Sequence, residues 1–259
     1  MALLLSACLK PPQQPNVFVD PALTTLVSSD TTLLAGARID VLSKTPAFQK
    51  LMQNTVIQDI AHRTGIDPQK ALWHVMFAAN GRRGLILTRG KFADELMAPD
   101  LRREGIDRMG YKGFTMFGNE QDAMLFFNSS TGIIGDTAAI RALIDERPSI
   151  KGLPSRFDGL VKSIPNEAQL WGAYAGGPVD LPLRGNLANI ANVLHMVESG
   201  TFYATVNEKL HVTASLAGGS DQKADDLHGA LQALMALSKI QGQVAKNGRV
   251  LTVKLEVEF

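Results

Sequence analysis

Apolar and polar residues alternate through three segments near the C-terminus, 202–206, 210–216 and 252–259. A period of two places successive side chains on opposite faces of a β-strand, so each segment has one apolar and one polar face. Asn207 and Glu208 predict a turn that makes the first two strands antiparallel. The sequence therefore predicts an antiparallel sheet with one polar face, formed by Tyr203, Thr205, His211, Thr213, Ser215, Thr252, Lys254 and Glu256.

Strand and helix patterns follow the same order in both halves of the chain: strand, helix, hairpin, helix, strand. This is the order of the split βαβ, or ferredoxin-like, unit. We therefore predict an α+β fold of two tandem ferredoxin-like (βαββαβ-type) units with antiparallel sheets and helices on one face. The predicted domains cover 30–147 and 168–259, and a linker at 148–167 with prolines and glycines separates them.

Local signals predict where the elements begin. Asn80, Gly81, Arg82 and Arg83 separate two apolar runs and predict a hairpin, because asparagine and glycine accept positive φ. Residues that cap helix N-termini predict three helix starts, at Thr45, at Asp136 or Thr137, and at Ser220. The first of these helices is predicted to end near Thr64, and two more are predicted at 93–104 and from Asn186.

Composition excludes some classes of protein. The chain has 259 residues, of which 45% are hydrophobic and 20% charged, so it can bury a core and is not intrinsically disordered. A net charge of +1 gives no long-range positive electrostatic field to attract nucleic acid. Aromatic residues, at 6%, offer few side chains for stacking on bases. We expect no nucleic-acid partner.

The single cysteine, Cys8, follows Leu5, Ser6 and Ala7. This order resembles the lipobox of bacterial lipoproteins, in which the cysteine thiol carries a diacylglycerol. The resemblance implies that residues 1–8 are the remainder of a lipoprotein signal and that Cys8 is lipidated. Residues 9–29 begin with a proline-rich stretch typical of an extended tether.

With this leader, the chain resembles uncharacterised lipoproteins of bacterial envelopes that carry tandem small α+β domains. The resemblance implies a periplasm-facing protein attached to a membrane by lipid, with an envelope protein as partner. Whether the membrane is inner or outer stays open, and a cytoplasmic protein is the alternative. The function implied is non-enzymatic interaction or assembly.

Common catalytic signatures are missing from the sequence, including GxSxG, GxxxxGK[ST], GxGxxG and HExxH. We therefore expect a non-enzyme without a cofactor. One alternative is a small-ligand module that uses the polar sheet face, a cleft between the domains, or the 176–185 loop with Asp180 and Arg184.

A metal-dependent hydrolase is a further alternative. Asp221, Asp225 and His228 lie at i, i+4 and i+7 of a predicted helix, a spacing that places two carboxylates and an imidazole on one side. The other histidines share no spacing, and His74, in an apolar strand, is predicted to be structural.

Overall fold

The computed structural model describes residues 16–53, 58, 67–81, 83–92, 106–177, 195–238 and 241–258. Its helices are α1 (Pro21–Thr24), α2 (Ile39–Leu42), α3 (Pro46–Met52), α4 (Pro68–Ala71), α5 (Thr137–Glu146), α6 (Asp158–Lys162) and α7 (Asp221–Ser238). Its strands are β1 (Leu33–Arg38), β2 (Leu72–Ala79), β3 (Gly84–Gly90), β4 (Asp107–Tyr111), β5 (Phe114–Gly118), β6 (Asp122–Asn128), β7 (Thr131–Asp136), β8 (Leu170–Tyr174), β9 (Val197–Val206), β10 (Leu210–Gly218), β11 (Gln241–Asn247) and β12 (Val250–Val257).

Within these ranges the strands form one 12-stranded sheet in the order β11-β12-β10-β9-β8-β1-β2-β3-β7-β6-β5-β4. Every strand pairing is antiparallel. The α+β prediction with an antiparallel sheet is therefore confirmed. Tandem ferredoxin-like units are not confirmed, because in a split βαβ unit another strand lies between the first and second strands, whereas here β1 pairs directly with β2 and β8 pairs directly with β9.

The centre of the sheet joins the two predicted domains. β1 pairs with β2 on one side and with β8 on the other, from Leu33–Tyr174 to Ala37–Leu170. The predicted linker contains α6 and contributes Phe157, Val161 and Ile164 to the largest apolar cluster. The division into two domains stays a prediction, and both halves contribute to the same sheet.

The long helices pack on opposite faces of the sheet. We call the face that carries Leu34 and Trp171 the front and the other face the back. α5 buries Ile140 and Leu143 in the front cluster, whereas α7 buries Leu227 in a back cluster with Tyr174 and Leu251. The predicted placement of the helices of a unit on one face is wrong for the first half, because α2 and α3 bury Ile39 and Phe48 against Val75 on the back, whereas α5 packs on the front.

The predicted turn and caps lie where the local chemistry indicates. The backbone N–H of Asn80 donates to the carbonyl of Arg83 at 3.1 Å, and Gly81 has a φ of 84°. Asp136 caps α5 by accepting the N–H of Ala139 at 2.7 Å. At α7, Ser220 accepts the N–H of Lys223 at 3.1 Å.

Other elements differ from the prediction or extend it. β1 ends at Arg38, and α2 begins at the next residue, Ile39. β4 and β11 were not predicted, and β11 has little of the alternation that identifies a strand. The helices predicted at 93–104 and from Asn186, and the end of the helix predicted to Thr64, lie outside the described residues.

Candidate binding surface

The polar residues predicted for the sheet lie together on its front face. In the pairing of β9, β10 and β12, Thr205 lies opposite His211, which lies opposite Glu256. One step along, Tyr203, Thr213 and Lys254 form a second row. We call this surface the polar shelf; its members are Tyr203, Thr205, His211, Thr213, Ser215, Gln241, Gln243, Thr252, Lys254 and Glu256.

Side chains of the polar shelf are open to solvent to different degrees. His211, Ser215 and Lys254 are exposed, whereas Tyr203 and Thr213 are half-buried. Tyr203 packs against the front core, so its ring marks the boundary between the shelf and the part of the front face that helices cover. The shelf is thus a flat polar surface with one aromatic ring at its inner border.

Positive and negative charges are nearly balanced on the polar shelf and at its border, where Lys209 and Glu258 lie next to Glu256. Lys209 Nζ lies 2.5 Å from Glu256 and 3.3 Å from Glu258. The hydrogen bond with Glu256 raises the pKa of Lys209, and the same bond lowers the pKa of Glu256. Within the described residues Lys254 has no ion-pair partner and lies between Thr213 and Gln243. A polar partner with limited charge fits such a surface better than a polyanion.

A second feature of the front face is a charge cluster, which we define as Asp20, Arg38, Asp40, His74 and Arg89. The pairings of β1, β2 and β3 place Arg38, His74 and Arg89 side by side. Asp20 comes from the segment before α1, and Asp40 comes from α2. Four separate parts of the chain therefore meet in this cluster.

Arg89 is the best-connected member of the charge cluster. Its Nε donates to Asp20 at 3.1 Å. Its Nη1 donates to the carbonyl and hydroxyl oxygens of Ser130 at 2.9 and 2.6 Å and to the hydroxyl of Thr131 at 2.7 Å. Asp20 also accepts the N–H of Ala22 at 2.8 Å and so caps α1. Arg89 thereby ties the N-terminal segment to β3 and to the turn before β7.

His74 lies between two carboxylates without a close hydrogen bond to either. Its Nδ1 is 4.0 Å from Asp20 and its Nε2 is 3.9 Å from Asp40. Its ring centroid is 5.3 Å from that of Phe18. Burial lowers the pKa of His74, and this outweighs the opposing effect of Asp40 and Asp20; Arg38 and Arg89 lower it further. The folded protein therefore favours the neutral imidazole.

His74 predicts a pH dependence of stability. A histidine with a folded pKa below its unfolded value of 6.5 binds a proton more weakly in the native state. The free energy of unfolding therefore falls as the pH is lowered through 6.5 towards the folded pKa. Denaturant titrations between about pH 7.5 and about pH 5.5 should show this loss, and His74→Asn should reduce it. His211→Asn, at an exposed histidine, is the control; an equal effect of both variants would contradict the prediction.

His74 has no hydrogen-bonded nucleophile beside it in the described part of the chain. Among the described residues, no serine, threonine or cysteine side chain hydrogen-bonds to His74. A cavity beside the cluster measures about 10 Å³, which is close to the volume of one water probe. The cluster therefore fits an electrostatic link between segments better than a substrate site.

A larger cavity, of about 140 Å³, lies elsewhere on the front face, between α5 and the β2–β3 hairpin. Leu26, Leu85 and Leu143 contribute apolar lining, and Asp30 and Arg83 contribute charge. The cavity contains no member of the polar shelf. Binding of a small ligand stays a prediction, and the cavity and the shelf are separate places where it can be tested.

The candidate metal ligands on α7 face cations instead of one another. Asp221 accepts a hydrogen bond from Arg249 Nε at 3.0 Å, and Asp225 forms an ion pair with Lys246. Within the described ranges no group of three or more histidine, cysteine, aspartate or glutamate side chains is placed to hold a metal ion. A metal ion bound by Asp221, Asp225 and His228 would have to displace both cations.

The remaining predicted site residues, Cys8, Asp180 and Arg184, lie outside the described residues. None of the helices that the structure describes has the length and apolar character to cross a membrane.

The charge cluster was not predicted from the sequence, although part of it could have been. The predicted hairpin pairs Ala79 with Gly84, and counting outward along both strands brings His74 opposite Arg89. Asp20, Arg38 and Asp40 have no such local signal, because they reach the cluster through pairings between distant segments.

Comparison with known proteins shows a fold and no family. No protein-family model matches the chain, and no curated protein sequence matches it. The chain is similar to three crystal forms of the Treponema protein TP0453. For form III the TM-score is 0.62 at 14% identity, covering 93% of this chain and 95% of that chain. Forms I and IV give TM-scores of 0.58 and 0.56 at 12% and 13% identity, each covering 93% of this chain and 94% of that chain. At these identities the likeness is one of fold alone.

Proposed function

We propose that this chain is a non-enzymatic protein of the bacterial envelope, attached to a membrane by lipid on Cys8, that binds a partner protein through the polar shelf. The observation that carries the binding part is the open front face of β9, β10 and β12. In the half of the sheet that contains β1 to β7, α5 packs on this face. In the other half, α7 packs on the back and leaves the shelf to solvent.

Asn16 and Val17 lie on the front side of the molecule. Asn16 forms a β-bridge with Pro165, and the N–H of Val17 donates to the carbonyl of Ile164 at 2.9 Å. Val17 is buried in the front core. Leu23 and Leu26, which with Val17 lie within the segment predicted as the tether, are buried there as well, so a lipid on Cys8 would be joined to the protein on the side that carries the polar shelf.

Metabolic labelling with palmitate tests the attachment. The full chain, expressed in a bacterium with a lipoprotein pathway, should incorporate label and partition into membranes. Cys8→Ser should abolish both without changing the stability of the folded part, because Cys8 lies outside the segments that form the sheet. Label that persists in the variant, or no label in the parent chain, would overturn the anchor.

A photo-crosslinking amino acid tests the binding face separately. Placed at Thr213 in the middle of the polar shelf, it should give one discrete adduct in intact envelopes. Placed at Gln232, an exposed position of α7 on the back, it should not give that adduct. Identical adducts from both positions would mean that the shelf is not the selective surface.

A further inference from the structure

We propose that two copies of this chain associate through β11, whose outer edge pairs antiparallel with the β11 of the second copy and continues the sheet across a two-fold axis. β11 ends the sheet at one side within the described residues. Its outer backbone N–H and C=O groups therefore have no strand partner there, and such an edge is a template for another strand. The inference concerns this edge and does not depend on the proposed function.

The exposure of β11 shows that its edge is accessible. All of its residues are exposed except Val244, which is half-buried. Natural edge strands are protected by prolines, bulges or several charges. β11 contains no proline, its pairing with β12 shows no register shift, and Lys246 is its single charged residue. That charge is already paired with Asp225.

β4, at the opposite side of the sheet, is a poorer candidate. It has five residues against seven in β11, and it begins with the charged pair Asp107 and Arg108. Charges on an edge strand oppose pairing with another chain. The geometry therefore points to the β11 edge.

The sequence of β11 is compatible with pairing to itself. In a two-fold arrangement, each residue of β11 lies opposite a residue of β11 in the second copy, so the strand must be compatible with its own sequence running antiparallel. With the axis at Val244, that residue lies opposite its own copy, Gln243 lies opposite Ala245, and Lys246 lies opposite Gly242. No like charges face each other in this register, which would otherwise weaken the pairing.

Apolar contacts on the back would add to the backbone hydrogen bonds. Val244 belongs to the back cluster, as does Leu231 of α7, and both are half-buried. α7 packs over β11, so the two α7 helices would approach each other across the axis. One seven-residue strand pair is smaller than a standard interface of roughly 1,600 Å². We therefore expect a weak, concentration-dependent dimer.

Sedimentation velocity of the full chain tests this inference. The sample carries Cys8→Ser so that no intermolecular disulfide forms. We expect its sedimentation coefficient to shift from the monomer value to the dimer value as the concentration rises to about 100 µM. Two double variants then test the register. Gln243→Glu with Ala245→Glu places like charges opposite each other twice across the axis, and it should raise the dimer Kd about tenfold at low salt.

The matched variant, Gln243→Glu with Ala245→Lys, differs only at position 245 and places opposite charges across the same axis. It should bind at least as tightly as the parent chain, and added salt should reduce the difference between the variants. In the monomer, the new carboxylate at 243 faces Lys254 in both variants, so their folding should be similar. A parent chain that stays monomeric at about 100 µM, or two variants with the same Kd, would overturn the inference.

Discussion

Gly90→Ala is expected to destabilise the protein by about 3 kcal/mol or more, or to prevent soluble expression. Gly90 is the last residue of β3 and is buried. A Cβ at this position would lie 2.0 Å from the backbone oxygen of Ala71 and 3.2 Å from the Cα of Leu72. These atoms are backbone, so no side-chain rotation can relieve the clash.

The backbone around Gly90 has little freedom to move. The N–H of Lys91 donates to the same Ala71 oxygen at 2.7 Å, and the N–H of Gly90 donates to the carbonyl of Ser130 at 3.1 Å. Relief would require separation of the start of β2 from the end of β3, in the centre of the sheet. Equilibrium unfolding in urea measures the effect.

Gly110→Ala is the matched control for this substitution. Gly110 also lies in a strand, β4, but a Cβ there would meet no heavy atom within 4 Å. Its replacement should be neutral or slightly stabilising, because alanine lowers the entropy of the unfolded chain. Equal losses in the two variants would contradict the steric argument.

Arg89→Met is expected to lower the free energy of unfolding by about 3 kcal/mol. The side chains of Arg89 and Asp20 are only 20% and 13% exposed, so the carboxylate left behind would be poorly solvated. The oxygens of Ser130 and Thr131 would lose their donor as well. For a chain of this size the melting temperature should fall by roughly 6 to 12 °C.

Two variants separate the ion pair from other effects of this substitution. Arg249→Met breaks a pair of similar geometry, 3.0 Å from Nε to Asp221, whose side chains are 58% and 78% exposed. Exposed pairs contribute little, so this loss should be about 0.5 kcal/mol or less. Asp20→Asn keeps an N-cap for α1 and removes the charge of the carboxylate. The free energy of unfolding that it loses should therefore lie between the losses of Arg249→Met and Arg89→Met. If Arg249→Met costs as much as Arg89→Met, burial is not the source of the effect.

Local chemistry was enough to predict much of the secondary structure. The Asn80–Arg83 turn predicts β2, β3 and their register, because a short hairpin leaves few ways to pair its strands. Ser220 and Asp136 mark helix starts because their side chains accept N–H groups that the first helical turn leaves unpaired. β11 could not be predicted in this way. Its residues show little hydrophobic alternation, and its strand conformation depends on pairing with β12.

The polar shelf shows how far prediction of a candidate site can go. The residues of the shelf can be predicted from the alternation of polar and apolar residues along each strand. The strand pairing places the odd-numbered residues of β9 and β10 and the even-numbered residues of β12 on the same face. The sequence pattern does not predict that the shelf is open to solvent, because this exposure depends on α7 packing on the back of the sheet. The amphipathic pattern of a helix shows that one side is buried and does not identify the face of the sheet that covers it.

The sequence by itself determined the α+β class, the β2–β3 and β9–β10 hairpins, the helix caps and the polar side of the C-terminal strands. Each of these depends on residues close together in the chain. Only the tertiary structure decided that β1 and β8 join both halves into one sheet, that α5 and α7 occupy opposite faces, and that Asp20, Asp40, His74 and Arg89 form one cluster. These features need contacts between distant segments, and such contacts are selected by the combined burial of apolar surface and pairing of backbone groups over the whole chain.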